Sequence, residues 1–389
     1  MKTHVYHGAN RDLKPLKAAD ILITTYGVAR GEVAKLNKEK WLLLAIDEAQ
    51  NIKNPGTAQT KAIKKIKAAV KIAMSGTPVE NRLSEYWSIF DFTNKGYLNS
   101  LSNFKKDFAK PIEAERDQQQ LDHFRKITEP FILRRLKSDK SIIKDLPEKI
   151  EKDQFCSLTK EQTAIYQNVV ETTMESVQKA KGINRKGLIL KLITALKQVC
   201  NHPKQFLKKG NSDASLSGKA ALLFDIIRET LDNGEKSLIF TQYREMGDLL
   251  VEILGKEFQL EIPFLHGGVS RKGRDDMVED FQNNRSTPIM ILSLKAGGTG
   301  LNLTKASNVI HYDLWWNPAV EAQATDRAYR IGQQNNVMVH RFITQGTFEE
   351  KINKLLQSKK ELANLTVSTG EKWIGEFSDN ELKELVSLG

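Results

Sequence analysis

Short apolar runs recur along the chain and are separated by stretches with helical spacing or turn residues. In the first part of the chain the runs are Ile21–Ile23, Leu42–Ile46 and Ile72–Met74. In the last part they are Leu238–Phe240, Ile262–Leu265, Ile289–Leu292, Val309–Ile310 and Val337–Ile343. Uninterrupted apolar runs of this kind are typical of strands buried on both faces of a parallel sheet. The pattern predicts two open α/β layers, one in each part.

Helical spacing dominates the middle of the chain and also fills the gaps between the later strands. Gly218–Leu231 and Arg271–Phe281 are predicted to be amphipathic helices between strands. Lys105–Arg125 and Thr159–Lys181 have the spacing of long charged helices. The tail is predicted to form two helices, with Ser378 as a cap of the second.

Length and charge limit the class of protein. The 389 residues exceed one ordinary domain, and 59 Lys+Arg against 48 Asp+Glu give a net charge of +11. The basic excess indicates a polyanionic partner, with a solvated basic surface as the alternative. No apolar run approaches the roughly 20 residues of a membrane span, and no signal core opens the chain. We expect a cytoplasmic protein without a membrane partner.

The two cysteines exclude a disulfide framework. Cys156 and Cys200 are also too few for a cysteine-rich zinc site. Cys200 with His202 is too small a ligand set for zinc, so packing near the turn at Pro203 is the preferred interpretation.

Two acidic residues follow an apolar run in the first part of the chain. At the carboxyl edge of a parallel sheet, such residues face the crevice where ligands bind. Asp47 is expected to hold Mg²⁺, and Glu48 to share that site and to orient the attacking water as base. An ordinary strand exit is the alternative for this motif alone.

A small turn, Ser75–Pro78, follows the next predicted strand. The hydroxyls of Ser75 and Thr77 are predicted to sense the γ-phosphate side of a nucleotide and to couple it to the other lobe. A β-turn that uses glycine and proline for its geometry is the alternative.

Gln323, Arg327 and Arg330 stand at i, i+4 and i+7 and would share one face of an α-helix. Two arginines on one face can neutralise charge on a transferring phosphoryl group, as arginine fingers do. The glutamine is predicted to bind the same nucleotide. A solvated basic face is the alternative.

A glycine loop, Ser293–Gly300, follows another predicted strand, and its glycines allow backbone N–H groups to approach a phosphate. That phosphate belongs either to a nucleotide or to DNA. We expect DNA contact through Gly297 and Gly300, and help in closing the nucleotide cleft from Gly298 and Thr299. A flexible loop is the alternative.

Two further loops are candidate DNA contacts. His266 and Arg271 lie where a strand passes into a helix, a place that can grip a phosphate. Trp316 follows the run Val309–Ile310, where a tryptophan is more often part of the core but can also stack or wedge at a DNA groove.

Taken in order, these motifs resemble those of the SWI/SNF-type DNA-dependent ATPases, the helicase-like chromatin remodellers and their bacterial relatives. The segments that carry the resemblance are Asp20–Tyr26, Asp47–Gln50, Ser75–Asn81, Glu129–Arg135, Cys200–Pro203, the glycine loop, Trp316–Pro318 and Gln323–Gln333. Ala49-Gln50, where eukaryotic members often have Ala-His, and the Trp315-Trp316 pair indicate a bacterial-type member.

The resemblance implies an α/β protein with two RecA-like parallel-sheet lobes, helical protrusions and a C-terminal helical brace. The implied divisions are a partial lobe one at 1–82, a protrusion at 83–135, a linker at 136–152, a second protrusion at 153–217, lobe two at 218–346 and the brace at 347–389. It also assigns DNA contact to Thr24, Thr25, Gly297, Gly298, Thr299, Gly300, Asn302 and Trp316.

The resemblance implies hydrolysis of ATP with Mg²⁺ to translocate along double-stranded DNA, with a DNA-bound protein as a possible substrate. One family element is missing from the printed residues. No Gly-x-x-x-x-Gly-Lys-Thr loop precedes the acidic pair, and Gly-Lys occurs only at Gly218-Lys219 and Gly255-Lys256. We expect lobe one to be incomplete here and this chain alone to hydrolyse ATP poorly. A non-hydrolysing DNA-binding or regulatory module and a strand-separating helicase are the alternatives.

Overall fold

A computed structural model describes residues 1–76, 83–115, 117–133, 135, 146–293, 300–362, 375 and 377–389. Two compact units divide the chain at Leu133. Four predicted site residues lie outside the described residues: Thr77, Gly297, Gly298 and Thr299.

The first unit contains two separate pairs of parallel strands among its described residues. The pairs are β1 (Thr3–Tyr6) with β2 (Ile21–Thr24), and β3 (Leu43–Ile46) with β4 (Val70–Ala73). Its helices are α1 (Tyr26–Gly31), α2 (Val33–Leu36), α3 (Ala58–Lys65), α4 (Leu83–Thr93), α5 (Leu101–Phe104), α6 (Lys110–Glu113) and α7 (Gln118–Thr128). Short 3-10 turns cover Lys14–Ala18, Ala49–Ile52 and Glu129–Phe131.

The strands of the first unit bury only alternate residues, because successive side chains of a strand point to opposite faces. The inward residues pack with α1, α3 and α4 around Ile46, Ile63 and Phe92. The outward residues are apolar as well: Val5, Ile23, Leu43, Val70 and Ile72 are all between 43% and 64% exposed. One apolar face of these strands is therefore open.

The predicted long helix over Lys105–Arg125 is wrong. A π-helical turn at Lys105–Ala109 leads into α6, and a new helix, α7, begins after Asp117. The Asp117 side chain accepts a hydrogen bond from the backbone N–H of Gln120, at 3.0 Å, and so caps the second helix. This cap lets the chain turn between the two helices, and Ile112 of α6 and Phe124 of α7 belong to one hydrophobic cluster.

The second unit is built on a six-stranded parallel sheet. Its strands are β5 (Lys149–Cys156), β6 (Ser237–Thr241), β7 (Phe264–Leu265), β8 (Ile289–Ser293), β9 (Asn308–His311) and β10 (Val337–Thr344). They lie in the order β5-β10-β9-β6-β8-β7. Central strands β6 and β8 are buried at every residue. Their continuous apolar runs are what a sheet covered on both faces requires.

Helices cover both faces of this sheet. The helices are α8 (Lys160–Lys179), α9 (Gly182–Asn201), α10 (Pro203–Leu207), α11 (Gly218–Asp232), α12 (Arg244–Phe258), α13 (Arg271–Asn283), α14 (Pro318–Thr325), α15 (Phe348–Leu362) and α16 (Asp379–Val386). One core joins the sheet to α11 and α12, and another joins its opposite face to α13 and α14. A third core holds α8, α9, α15 and α16 together.

Two sequence predictions can be compared directly with these elements. Ser378 caps α16 through a complete capping box, which confirms the predicted helix start. Strand β5 was not predicted, and the expected linker boundary at residue 152 falls inside it. Nowhere in the described ranges is a helix long and apolar enough to cross a membrane.

Candidate functional site

The acidic pair lies where β3 ends. Backbone hydrogen bonds continue the pairing with β4 past the strands, from Met74 N to Ile46 O at 2.8 Å and from Ala49 N to Met74 O at 2.9 Å. Between them Glu48 adopts φ 50° and ψ 52°, a left-handed conformation that is uncommon for a residue with a side chain. Its N–H donates to Asp47 Oδ1 at 2.8 Å. The two carboxylates are thus fixed on one tight turn.

A chain of three side chains connects this turn to the end of β4. Ser75 Oγ donates to Gln50 Oε1 at 2.8 Å, and Gln50 Nε2 donates to Glu48 Oε2 at 2.5 Å. The structure therefore brings Ser75 to the acidic pair. Sequence reasoning gave no role to Gln50, although its place two residues after the predicted base was a usable signal.

Tyr26 supports the same turn from α1. Its hydroxyl donates to the backbone carbonyl of Asp47 at 2.7 Å. Burial, together with the negative charges of Asp47 and Glu48, raises the pKa of Tyr26 to about 12. The phenol therefore stays protonated and remains a donor at neutral pH. Tyr26 was also missed as a site residue, although it ends one of the segments that carry the family resemblance.

The acidic pair fits the donor set of a magnesium ion that arrives with a nucleotide. Mg²⁺ is usually held by one or two carboxylates, while waters and substrate phosphates complete its shell. Asp47 is exposed and Glu48 is half-buried, so both can be reached. In the part of the chain that the structure describes, no group of three or more His, Cys, Asp or Glu could hold a metal by itself.

The two threonines predicted to contact DNA differ in their surroundings. Thr24 is half-buried and its hydroxyl donates to Tyr6 O at 2.9 Å. Thr25 is exposed and caps α1 by accepting from Val28 N at 3.3 Å. DNA contact by this pair stays a prediction.

The predicted helical face of Gln323, Arg327 and Arg330 is wrong. Helix α14 ends at Thr325, so only the glutamine belongs to it. The Arg327 carbonyl accepts from Leu303 N at 2.9 Å, outside the helical pattern. This bond to a distant loop turns the chain away from the helix axis, and both arginines lie in turns.

The two arginines also differ in exposure. Arg327 is buried, at 6% exposed, whereas Arg330 is exposed and its Nη1 donates to Leu301 O at 3.3 Å. Gln323 is half-buried. Residues 326–330, which follow α14, form the arginine segment.

The prediction that Trp316 contacts DNA is wrong for this structure. Its side chain is only 2% exposed and packs edge-on against Phe348, with ring centroids 5.5 Å apart. The Lys197 ammonium lies 3.6 Å from the centre of its ring. The indole therefore belongs to the core beneath β10 and the helices, which was the alternative interpretation of this residue.

The loop between β7 and α13 carries the predicted DNA contacts of the second unit. His266 Nδ1 accepts from Gly268 N at 3.0 Å, and Arg271 is exposed as the first residue of α13. Arg244 is exposed and is the first residue of α12. It lies beside the same loop, because its Nη1 would be 3.9 Å from a Cβ atom placed on Gly268. Sequence reasoning missed this arginine.

Gly300 and Asn302 are exposed on a separate loop of the second unit. Gly300 has φ 53°, a conformation that favours glycine. Exposure does not test whether either residue contacts DNA, so both contacts stay predictions.

The doubly wound parallel sheet of the second unit, with the acidic turn of the first, defines the chain as an α/β protein of the RecA-like ATPase class. A model of the SNF2-related domain matches residues 1–205, and one of the helicase conserved C-terminal domain matches residues 218–332. The chain belongs to the SWI2/SNF2 ATPase family, as the resemblance predicted.

Curated relatives are longer than this chain. It is 47% identical over 372 residues to the putative ATP-dependent helicase/translocase YwqA of Bacillus subtilis, covering 95% of this chain and 40% of the relative. An uncharacterised ATP-dependent helicase of Mycoplasma pneumoniae is 37% identical, covering 94% of this chain and 34% of that protein.

Solved structures agree with the predicted fold class. The Sulfolobus solfataricus SWI2/SNF2 ATPase core in complex with dsDNA is 45% identical with a TM-score of 0.58, covering 100% of this chain and 81% of that one. The C-terminal domain of the Sulfolobus protein is 44% identical with a TM-score of 0.55, covering 62% of this chain and 100% of that domain. The prediction of RecA-like lobes is confirmed.

Proposed function

We propose that this chain is part of an ATP-dependent double-stranded DNA translocase. Family membership, the name of the Bacillus relative and the duplex bound to the Sulfolobus core support this function. The observation that carries it is the hydrogen-bonded chain from Ser75 through Gln50 to Glu48, at the carboxyl ends of two neighbouring parallel strands.

Glu48 acts as the base that orients the attacking water. The Gln50 amide donates to one of its carboxylate oxygens, so the carboxylate is held in one direction. Tyr26 fixes the backbone at Asp47. Asp47 and Glu48 would hold Mg²⁺, which would neutralise charge on the phosphates when it is bound with ATP.

We propose that cationic and polar groups of the second unit also act in ATP hydrolysis. Exposed Arg330 and buried Arg327 neutralise the developing phosphoryl charge, and Gln323 contacts the nucleotide, as do Gly298 and Thr299. Ser75, with Thr77, couples the state of the nucleotide to the rest of the motor. Donors that interact with charge only as it develops in the transition state contribute most to the rate.

DNA is contacted mainly through its phosphates. The proposed contacts are Thr24, Thr25, His266, Arg271, Gly297, Gly300 and Asn302, together with Arg244. Phosphate contacts position a protein on DNA without reading its sequence, which suits an enzyme that tracks along the duplex. A DNA-bound protein is the proposed object of that movement.

ATP hydrolysis in this family needs a phosphate-binding loop, and no Gly-x-x-x-x-Gly-Lys-Thr segment occurs in the sequence. Two proteins test this. One is the chain as printed. The other, the fused chain, carries a strand, a phosphate-binding loop and a helix of the family type fused ahead of Met1. Steady-state ATPase assays with duplex DNA should show turnover only for the fused chain.

Glu48→Gln should lower turnover of the fused chain by about 10²–10⁴, the usual contribution of general base catalysis. Glu39→Gln, an exposed acid in the same unit, is the matched control and should be neutral. Several turnovers per second by the printed chain alone would refute the need for further polypeptide. Absence of turnover in the fused chain, with DNA binding intact, would favour a non-hydrolysing DNA-binding module instead.

DNA binding is measured separately by fluorescence anisotropy with a labelled duplex. Affinity should fall steeply with salt, and Arg271→Ala should reduce the slope of log K against log salt by about 1. Arg228→Ala removes an exposed arginine on α11 that is paired with Glu257, and it should leave the slope unchanged. Lack of affinity at low salt would count against the proposal, and a strand-displacement assay distinguishes a translocase from a strand-separating helicase.

A further inference from the structure

Helix α9 reaches the connection between β9 and α14 at two points. Lys197 and Asn201 are one turn apart on α9 and are 1% and 0% exposed. Lys197 Nζ donates to the carbonyl of Leu314 at 3.3 Å, and Asn201 Nδ2 donates to Asp313 Oδ2 at 3.2 Å. A buried ammonium and a buried amide on one helix are therefore both directed at the same short segment.

The end of β6 holds that segment from another side. Asp313 Oδ2 accepts from Thr241 Oγ1 at 2.5 Å, and its Oδ1 accepts from Gln242 N at 2.8 Å. Gln242 Nε2 donates to Leu314 O at 2.7 Å, so this carbonyl accepts from two side chains. Burial raises the pKa of Asp313, and hydrogen bonds from its neighbours oppose that effect.

The same connection is tied to α14. The N–H groups of Trp315 and Trp316 both donate to Glu321 Oε1, at 3.0 Å and 3.2 Å. Trp316 has φ 56°, and these bonds hold it in that uncommon conformation. The other oxygen of Glu321 accepts from Arg341 Nε on β10 at 3.3 Å.

The far end of α14 is anchored as well. Thr325 Oγ1 lies 2.9 Å from His311 Nε2 on β9, and the arginine segment follows immediately. Residues 313–316 are thus bonded to α14 near its start, and the arginine segment follows the end of the same helix, so a loss of order in residues 313–316 would extend through α14 to the arginine segment.

We propose that Lys197 and Asn201 are positioning residues for the arginine segment, acting through residues 313–316. Helix α9 pairs with α8, for instance through Gln162 Nε2 and Val199 O at 2.7 Å. The helical pair α8/α9 thus sets where Arg327 and Arg330 lie. The consequence for hydrolysis rests on the proposed function, whereas the positional effect does not.

Lys197→Met tests the positional effect in the printed chain. Methionine keeps most of the side-chain volume, and Leu314 O retains the Gln242 amide, so the fold should persist with an unchanged melting temperature. Amide hydrogen exchange in residues 313–330 should become at least about threefold faster, as expected for the loss of one buried hydrogen bond. Lys191→Met removes an exposed lysine from the same helix and is the matched control.

The double variant Lys197→Met with Gln242→Ala removes both side-chain donors to Leu314 O and should give a larger increase. Unchanged exchange in residues 313–330 in both variants overturns the proposal, as does faster exchange throughout the second unit with a lower melting temperature. In the fused chain, Lys197→Met should lower kcat severalfold and leave the KM for ATP unchanged. If Lys197→Met makes exchange faster but the unmutated fused chain shows no turnover, the proposed function is wrong and the positional effect still holds.

Discussion

Glu48 combines a strained backbone with a fixed side chain. A residue with a side chain in the left-handed region costs of order 1–3 kcal/mol, and it persists only when its surroundings hold it there. Here Gln50 holds the carboxylate, and Met74 pairs with the turn through its backbone. The strain is therefore located at the residue that the proposed mechanism uses as base.

Gln50→Leu should lower DNA-stimulated turnover of the fused chain about tenfold. The substitution removes both the donor to Glu48 and the acceptor for Ser75, so the base loses its fixed direction. Steady-state kinetics with varied ATP measure the effect, which should fall mainly on kcat.

Two further variants make this prediction specific. Gln50→His keeps a ring N–H that can donate and should retain more activity than Gln50→Leu. Ser75→Ala should reduce turnover, and its effect should not add to that of Gln50→Leu, because both break one chain. Full additivity would show that Ser75 and Glu48 act independently.

His340 makes the second unit sensitive to acid. Burial lowers its pKa from 6.5 to about 4, and Gln154 Nε2 lies 3.2 Å from its Nδ1. Between pH 6.5 and 4 the unfolded chain takes up a proton that the folded chain does not. The free energy of unfolding should therefore fall as pH drops through this window.

His340→Gln should flatten that dependence. Melting temperatures measured from pH 7 to pH 4 should fall less in this variant than in the parent chain. His7→Gln removes an exposed histidine and should leave the parent dependence in place. Equal slopes for His340→Gln and the parent would mean that other groups control acid sensitivity.

At the scale of elements, α16 illustrates a short helix that depends on its ends. Ser378 and Glu381 form a capping box, and Lys351 Nζ donates to the carbonyls of Glu384 and Ser387, both at 2.7 Å. Its apolar side reaches the core that contains α8 and α15. Eight residues would not form a stable helix in water without such contacts.

Ser378→Ala should destabilise α16 by about 1 kcal/mol, the usual cost of losing an N-cap. The amides of α16 should exchange about fivefold faster, whereas those of β6 should not change. Ser176→Ala, on exposed α8 surface, is the control, because its hydroxyl bonds only weakly within its own helix, at 3.4 Å from Thr172 O. Equal exchange in parent and Ser378→Ala would show that packing alone holds α16.

At the scale of the whole molecule, the second unit has its own complete set of cores. Three hydrophobic clusters lie within its described residues and include side chains of β6 to β10 and of the helices that cover them. The Sulfolobus C-terminal domain, which is similar to 62% of this chain, has a solved structure of its own. We infer that this unit folds independently.

A fragment of residues 146–389 should therefore unfold cooperatively near the temperature at which this unit unfolds in the whole chain. Cys156 and Cys200 provide the probe, because both thiols are buried and burial raises the pKa of Cys156 to about 11. They should react with a thiol reagent only as the fragment unfolds. Rapid labelling at 25 °C would show that the unit needs the rest of the chain.

Whether a strand or helix was predicted correctly from the sequence depends on where that element lies in the fold. The central strands β6 and β8 were predicted, since a strand buried on both faces must be apolar throughout. Edge strand β5 was missed, because its exposed side carries charged residues and gives no apolar run. The break in the helix predicted over Lys105–Arg125 was missed, because the Asp117 cap starts a new helix within a stretch whose apolar spacing is helical.

The sequence by itself determined the order of the motifs, the buried strands and, through them, the family. These features depend on residues close together along the chain. Only the tertiary structure decided that Trp316 and Arg327 are buried, that the arginine segment leaves its helix, and that Gln50 joins Glu48 to Ser75. Each of these depends on contacts between distant residues, such as Leu303 with Arg327, which local periodicity does not encode.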